Sequence, residues 1–223
     1  MQKFQTPAPV SALLDIPAGR IQLIAADRAD TVVEVRPADA SESRDKKAVE
    51  EIEVAYAGGV LRIEAAPAKN RLLGHSGSVE VTVRLPAGSR VEGKAGAAEL
   101  RGVGRLGEVV FEGGHRQVRL DEAAGVRLSV HDADVAVGRL TGPAAISTQR
   151  GDIRIAEAAG GPVSLTTHKG DIEVTAAAGV SAILDAGTGH GRISNSLTNG
   201  AGTDVGLSIH ATTSHGDITA RSL

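Results

Sequence analysis

The chain has 223 residues, a net charge of −3 from 24 basic and 27 acidic side chains, and no cysteine. The charge balance argues against nucleic acid, whose partners carry a basic surface. The missing cysteine excludes disulfides, thiolate metal sites and a thiol nucleophile. With 28 glycines and only Phe4, Tyr56 and Phe111 as aromatics, the composition suits thin stacked layers better than a core built around large rings.

In chain order, residues 1–19 hold no apolar run of signal-peptide length before their prolines. No window reaches the ~18 consecutive apolar residues of a membrane span. The expected address is cytoplasmic. Residues 1–90 are strand-rich but irregular. "SALLDIPAGRIQLIAA" (11–26) resembles "VEVTVRLPAGSRVEGKA" (79–95): strand, Pro-Ala-Gly, strand. Between them, "PADASESRDKKAVEEI" (37–52) is a charged loop with about two helical turns at 43–51, and "PAKNRLLGHSGS" (67–78) is a second loop. This part is expected to form opening layers or a small sandwich-like cap, with no linker to a second domain.

From residue 91 a repeat takes over. "STQRGDIRI" (147–155), "TTHKGDIEV" (166–174), "GTGHGRISN" (187–195) and "TTSHGDITA" (212–220) share one frame. Its register mark falls on Ile153, Ile172, Ile193 and Ile218, at spacings of 19, 21 and 25, and extends back to Val135, Val118 and Leu100. Apolar and polar residues alternate on both sides of the glycine, as in Val163, Leu165, Thr167 and then Ile172, Val174. Period-2 alternation marks half-buried strands. Two short strands, two corners and a repeat near 18 make one rung of a stacked array. The expectation is an all-β, single-domain parallel β-solenoid over 1–223, with about seven two-strand rungs in 91–223. "ISNSLTNGAGTDVG" (193–206) reads as a loop inserted at a corner.

Aligned by rung, Arg150, Lys169, His190 and His215 form one column, and Asp152, Asp171, Arg192 and Asp217 another. Thr148, Thr167, Thr188 and Thr213 form a third. The structural reading has glycine turning the corner, aspartate bonding local backbone N–H groups, and inward threonine satisfying the neighbouring rung. A metal reading would join His190, His215 and Asp217, but Arg192 stands where a further ligand is wanted. A glycan-cleaving reading would pair Asp152 with Asp171 on adjacent rungs. The chain holds no Gly-x-Ser-x-Gly elbow and no His-Glu-x-x-His. "GTGHGR" (187–192) imitates a phosphate loop without the helix such a loop needs. The threonine column falls on the inner side of the alternation, against an ice-binding face.

These repeats, with the "IPAGRIQL" and "LPAGS" entries, "RDKKAVEEIEV" and the closing "TTSHGDITA", resemble the bacterial β-strand-repeat family labelled putative adhesins, a domain of unknown function. The resemblance covers nearly the whole chain. It implies a β-solenoid and, by label, adhesion or surface association, and supplies no catalytic residues.

The reading is a non-catalytic interaction scaffold without cofactor. It displays the ladder of Arg150, Lys169, His190, His215, Asp152, Asp171 and Asp217 to a protein or glycan partner. The alternative is a carbohydrate-active enzyme of β-helix type using paired aspartates. "HGDITARSL" (215–223) ends almost at its last strand. An open sheet edge invites pairing, so that edge is expected to self-associate or to be covered by another segment.

Overall fold

The computed structural model describes residues 1–65, 77–198 and 205–223. The described chain is all-β apart from one helix. Strands β1 (Gln2–Gln5), β2 (Ser11–Ala26) and β3 (Asp30–Pro37) lead to helix α1 (Ser43–Glu50), then to β4 (Ile52–Ala57), β5 (Val60–Ala65) and β6 (Val79–Pro86). Two long strands follow, β7 (Arg90–Gly113) and β8 (His115–Leu140). The rest are short: β9 (Ala144–Arg150), β10 (Ile153–Ala158), β11 (Gly161–Lys169), β12 (Ile172–Ala176), β13 (Ala182–His190), β14 (Ile193–Ser196), β15 (Leu207–His215) and β16 (Ile218–Ser222). All sixteen belong to one large, mostly parallel sheet.

The strands stand in two files. In the first, β9, β11, β15 and β13 pair in parallel, with Ile146 beside Leu165, Leu165 beside Ala211, and Ala211 beside Ala186. In the second, β10, β12, β16 and β14 pair in parallel, with Ile153 beside Ile172, Ile172 beside Ile218, and Ile218 beside Ile193. β7 and β8 run through both files: Leu100 meets Val118, Val109 meets Val126, and Val135 meets Ile153. The register column read from the sequence is therefore a physical file. Corners expected to interrupt this part of the repeat remain within the continuous strands β7 and β8.

The order of the strands corrects the sequence reading. The unit 207–222 does not follow the unit 182–196; it lies between that unit and 161–176. β15 pairs with both β11 and β13, and β16 with both β12 and β14. The uneven spacings of 21 and 25 accompany this exchange. The C-terminal strand is thus not an edge: of the two outcomes expected there, coverage by another segment is the one found, with β14 paired on β16. Among the described residues the edge belongs to β13 and β14, each paired with one strand. Exposure follows. Ile172 and Ile218 are buried, whereas Ile193, on the outermost strand, is 47% exposed. The segment 193–206, read as a loop, begins with the four residues of β14; residues 199–204 lie outside the described chain, as do residues 67–76 of the other expected loop.

The N-terminal part extends both files and then ends them in antiparallel strands. The first half of β2 pairs with β5 and with β7 at 90–95, and its second half with β6 and with β7 at 97–104. Beyond these the pairing turns antiparallel, β4 on β5 and β3 on β6, with β1 antiparallel to β3. Helix α1, expected at 43–51, lies against β3, β4 and β6 and buries Ala48. The Asp45 carboxylate accepts the N–H groups of Asp39 at 2.9 Å and Ser78 at 2.8 Å, tying the helix to both flanking segments.

Inward residues of both files share one hydrophobic cluster. Full burial of each Val, Leu or Ile contributes ~1.5–3 kcal/mol, an upper estimate against a compact unfolded chain. Phe111 is the largest fully buried side chain. It fits because its neighbour in the adjacent turn is Gly93, where a Cβ would lie 2.8 Å from the ring.

Candidate functional site

The repeated corner brings every residue of the expected ladder together. Along the basic column the order is Asp132, Arg150, Lys169, His215, His190, each beside the next. His215 therefore stands between Lys169 and His190, as the exchanged strand order requires.

Each part of the motif has a local task. The glycines turn the corner at φ 132° (Gly151), 152° (Gly170) and 151° (Gly216), a region that L side chains avoid. They also pack onto the neighbouring corner: a Cβ at Gly170 would lie 2.1 Å from the Gly151 carbonyl oxygen, and one at Gly216 2.0 Å from that of Gly170. The threonine hydroxyls donate to those same carbonyls, Thr167 to Gly151 and Thr213 to Gly170 at 3.1 Å, and Thr188 to Gly216 at 2.9 Å. The aspartates form a continuous ladder. Oδ1 of Asp134 accepts the N–H of Asp152 at 3.0 Å, that of Asp152 the N–H of Asp171 at 2.8 Å, that of Asp171 the N–H of Asp217 at 2.7 Å, and that of Asp217 the N–H of Arg192 at 2.8 Å. Asp152 and Asp171 are neighbours, as the paired-carboxylate reading required. One oxygen of each is committed to the backbone of the next strand.

The basic column is less uniform. Arg150 donates to both oxygens of Asp132, at 2.6 and 2.9 Å. This guanidinium holds the Asp132 carboxyl below its ordinary range, and Asp132 raises Arg150 in return. The His190 and His215 rings stack 4.8 Å apart with planes 4° from parallel, and His168 meets His215 edge-on at 6.0 Å. Parallel rings present their nitrogens side by side rather than towards a common centre. Among the described residues no group of three or more His, Cys, Asp or Glu has a metal-binding arrangement. Arg192 ends the ladder: its side chain reaches Asp217 Oδ2 at 3.4 Å and offers no carboxylate to a further strand.

Sequence reasoning missed the outer faces. A groove of about 500 Å³ crosses the outside of the first file, with Ala145, Pro162, Ser164 and Ser208 along it, Glu108 and Arg127 at one end and His210 near the other. His210 Nδ1 lies 2.9 Å from the Asp185 carboxylate. A second, charged recess of about 380 Å³ lies by the N-terminal strands. There Arg20 bridges Glu80 at 3.1 Å and Glu99 at 3.3 Å, and Arg116, at φ 74°, reaches Glu99. The outward positions of the aligned repeats carried the signal for the groove, since they lack charge in three units.

No protein-family model and no curated protein matches the chain. Solved structures do. A putative adhesin from Bacteroides fragilis is 14% identical, with a TM-score of 0.51, over 98% of this chain and 95% of its own. A putative adhesin from Parabacteroides distasonis is 14% identical, with a TM-score of 0.48 over the same shares. A putative cell adhesion protein from Clostridium sporogenes is 13% identical, with a TM-score of 0.38, over 100% of this chain and 98% of its own. At these identities the likeness is one of fold, which for the Bacteroides fragilis adhesin structure extends along nearly the whole chain.

Proposed function

We propose that the chain is a β-solenoid acting as a non-catalytic, adhesin-like scaffold whose outer side chains engage a protein or glycan partner. Support for the solenoid comes from the in-register parallel files and the common core of their inward residues. The observation that carries the functional reading is the aspartate ladder. The recurrent polar motif is engaged in holding successive strands together, which leaves the outward faces as the surface available to a partner.

The rival reading, a carbohydrate-active enzyme, draws on the adjacency of Asp152 and Asp171. A glycosidase needs one carboxyl as acid and one as base or nucleophile, aimed at the same bond. Here each carboxylate faces along the stack to the next amide. The test is a turnover screen on soluble glycans with the wild type and with Asp152→Asn and Asp171→Asn. The scaffold reading expects no product from any of the three. Product from the wild type that disappears in either variant overturns it.

A further inference from the structure

We infer that the outer face of β9, β11 and β15 is the binding face, and that it takes a neutral, linear glycan laid along the groove across the strands. This rests on the scaffold reading above and names its face and ligand class.

Along the C-terminal repeats the two files differ in what they show to solvent. The second carries paired charges: Arg154 Nε donates to Glu173 at 2.7 Å, Arg221 reaches Glu173 at 2.9 Å, and Arg139 reaches Glu157 at 3.5 Å. Such exposed pairs satisfy one another. The outward side chains of β9, β11 and β15 before the corner include no Asp, Glu, Lys or Arg. They run in register, Ala145 beside Ser164 beside His210, and Ser147 beside Thr166 beside Thr212. Charges appear at the borders, where Arg127 lies 4.0 Å from Glu108 and His210 is held by Asp185.

This chemistry selects the ligand. Among the described residues lining the groove the one Lys or Arg is Arg127, which is paired with Glu108, so an anionic polymer finds no unpaired cation there. A protein partner is anchored by Tyr, Trp, Phe, Met or Arg pockets, and before the corner the three strands offer none of these outward. The Ser164 and Ser208 hydroxyls in the groove both donate and accept, which matches sugar hydroxyls. Short side chains on paired strands lose little rotamer freedom on binding. Ala145 and Pro162 present C–H surface to the apolar faces of the sugar rings. The groove of about 500 Å³ falls within the ~300–1,000 Å³ range of ligand clefts, and it runs along the stacking direction, where a linear chain meets side chains without fixed charge on three successive strands.

Native electrophoresis through gels containing dextran, hydroxyethyl cellulose, mannan or alginate tests this. The wild type is expected to be retarded by at least one neutral polymer and not selectively by alginate. Ser164→Arg, at an exposed strand position, places a long cation across the groove and is expected to weaken retardation at least about tenfold, equivalent to ~1.4 kcal/mol. Thr219→Lys, on the opposite face, is expected to leave it unchanged. Circular dichroism confirms that both variants fold. No retardation by any neutral polymer, retardation by alginate alone, retardation insensitive to Ser164→Arg, or a protein partner mapped to this face overturns the inference. Release of reducing ends from the same polymers would instead overturn the scaffold reading, so the two failures are distinct.

Discussion

Asp171 and Asp217, 46 residues apart in sequence, meet at one corner, where Oδ1 of Asp171 accepts the backbone N–H of Asp217 at 2.7 Å. Arg192, from the unit between them in sequence, lies beyond Asp217 and donates its backbone N–H to the Asp217 carboxylate in turn. This bond places the last unit inside the stack and the preceding unit at its edge.

That order makes the outer unit dependent on the inner one. A chain ending at residue 204 lacks β15 and β16, the strand partners of β13 and β14. Hydrogen exchange is expected to show the amides of 182–196 losing protection in the truncated chain. Retained protection there would mean that the two units stack in sequence order.

The aspartate ladder predicts a split between two substitutions at one position. Asp171→Asn keeps a side-chain oxygen for the Asp217 amide and is expected to be near neutral. Asp171→Ala removes it and is expected to cost about 1 kcal/mol, like loss of a helix N-cap. Urea denaturation of both variants reads the difference, and equal stabilities would remove the ladder's structural role.

A glycine at a corner and a glycine within a strand should behave oppositely. Gly216→Ala forces a Cβ to within 2.0 Å of the Gly170 carbonyl oxygen at φ 151°, and is expected to destabilise by about 3 kcal/mol or more. At Gly187 a Cβ meets nothing within 4 Å, so Gly187→Ala is expected to stay within about 0.5 kcal/mol of the parent. Thermal melts provide the comparison.

The Asp132–Arg150 pair sets a pH dependence. Hydrogen bonding to Arg150 holds the Asp132 carboxyl below its ordinary value of 3.8. The unfolded chain therefore takes up the proton first as pH falls. The pair's contribution is complete above about 3.8 and is lost as pH drops further, through the folded value. An NMR titration of Asp132 is expected to give a midpoint below 3.8, moving upward in Arg150→Gln. An unmoved midpoint would remove Arg150 as the cause.

Arg192 guards the edge. It occupies the aspartate slot on the outermost strand, with its side chain 90% exposed. A charge there disfavours strand addition, and no carboxylate awaits an incoming amide. Arg192→Asp is expected to shift the chain towards larger assemblies in sedimentation velocity runs at rising concentration. An unchanged distribution would mean that Arg192 does not control this edge.

Much of the architecture was legible because it depends on local periodicity. The alternation around Val163, Leu165, Ile172 and Val174 fixed which side chains turn inward. The Thr, Gly and Asp columns foretold the corner, since each residue type has one economical use in a tight stacked turn. The groove was not legible in the same way. It arises from Ala145, Ser164 and His210 lying side by side, and their resemblance within the repeat is only that they carry no fixed charge.

The sequence by itself determined strand phase, inward and outward faces and the chemistry of each corner, because these follow from neighbours a few residues apart. Only the tertiary structure decided that residues 207–222 sit between 161–176 and 182–196. The two units present nearly the same motif to a neighbour, so local rules place either one next in the stack. The choice depends on burial: Ile218, in the inner unit, is 1% exposed, and its counterpart Ile193, in the outer unit next to Arg192, is 47% exposed.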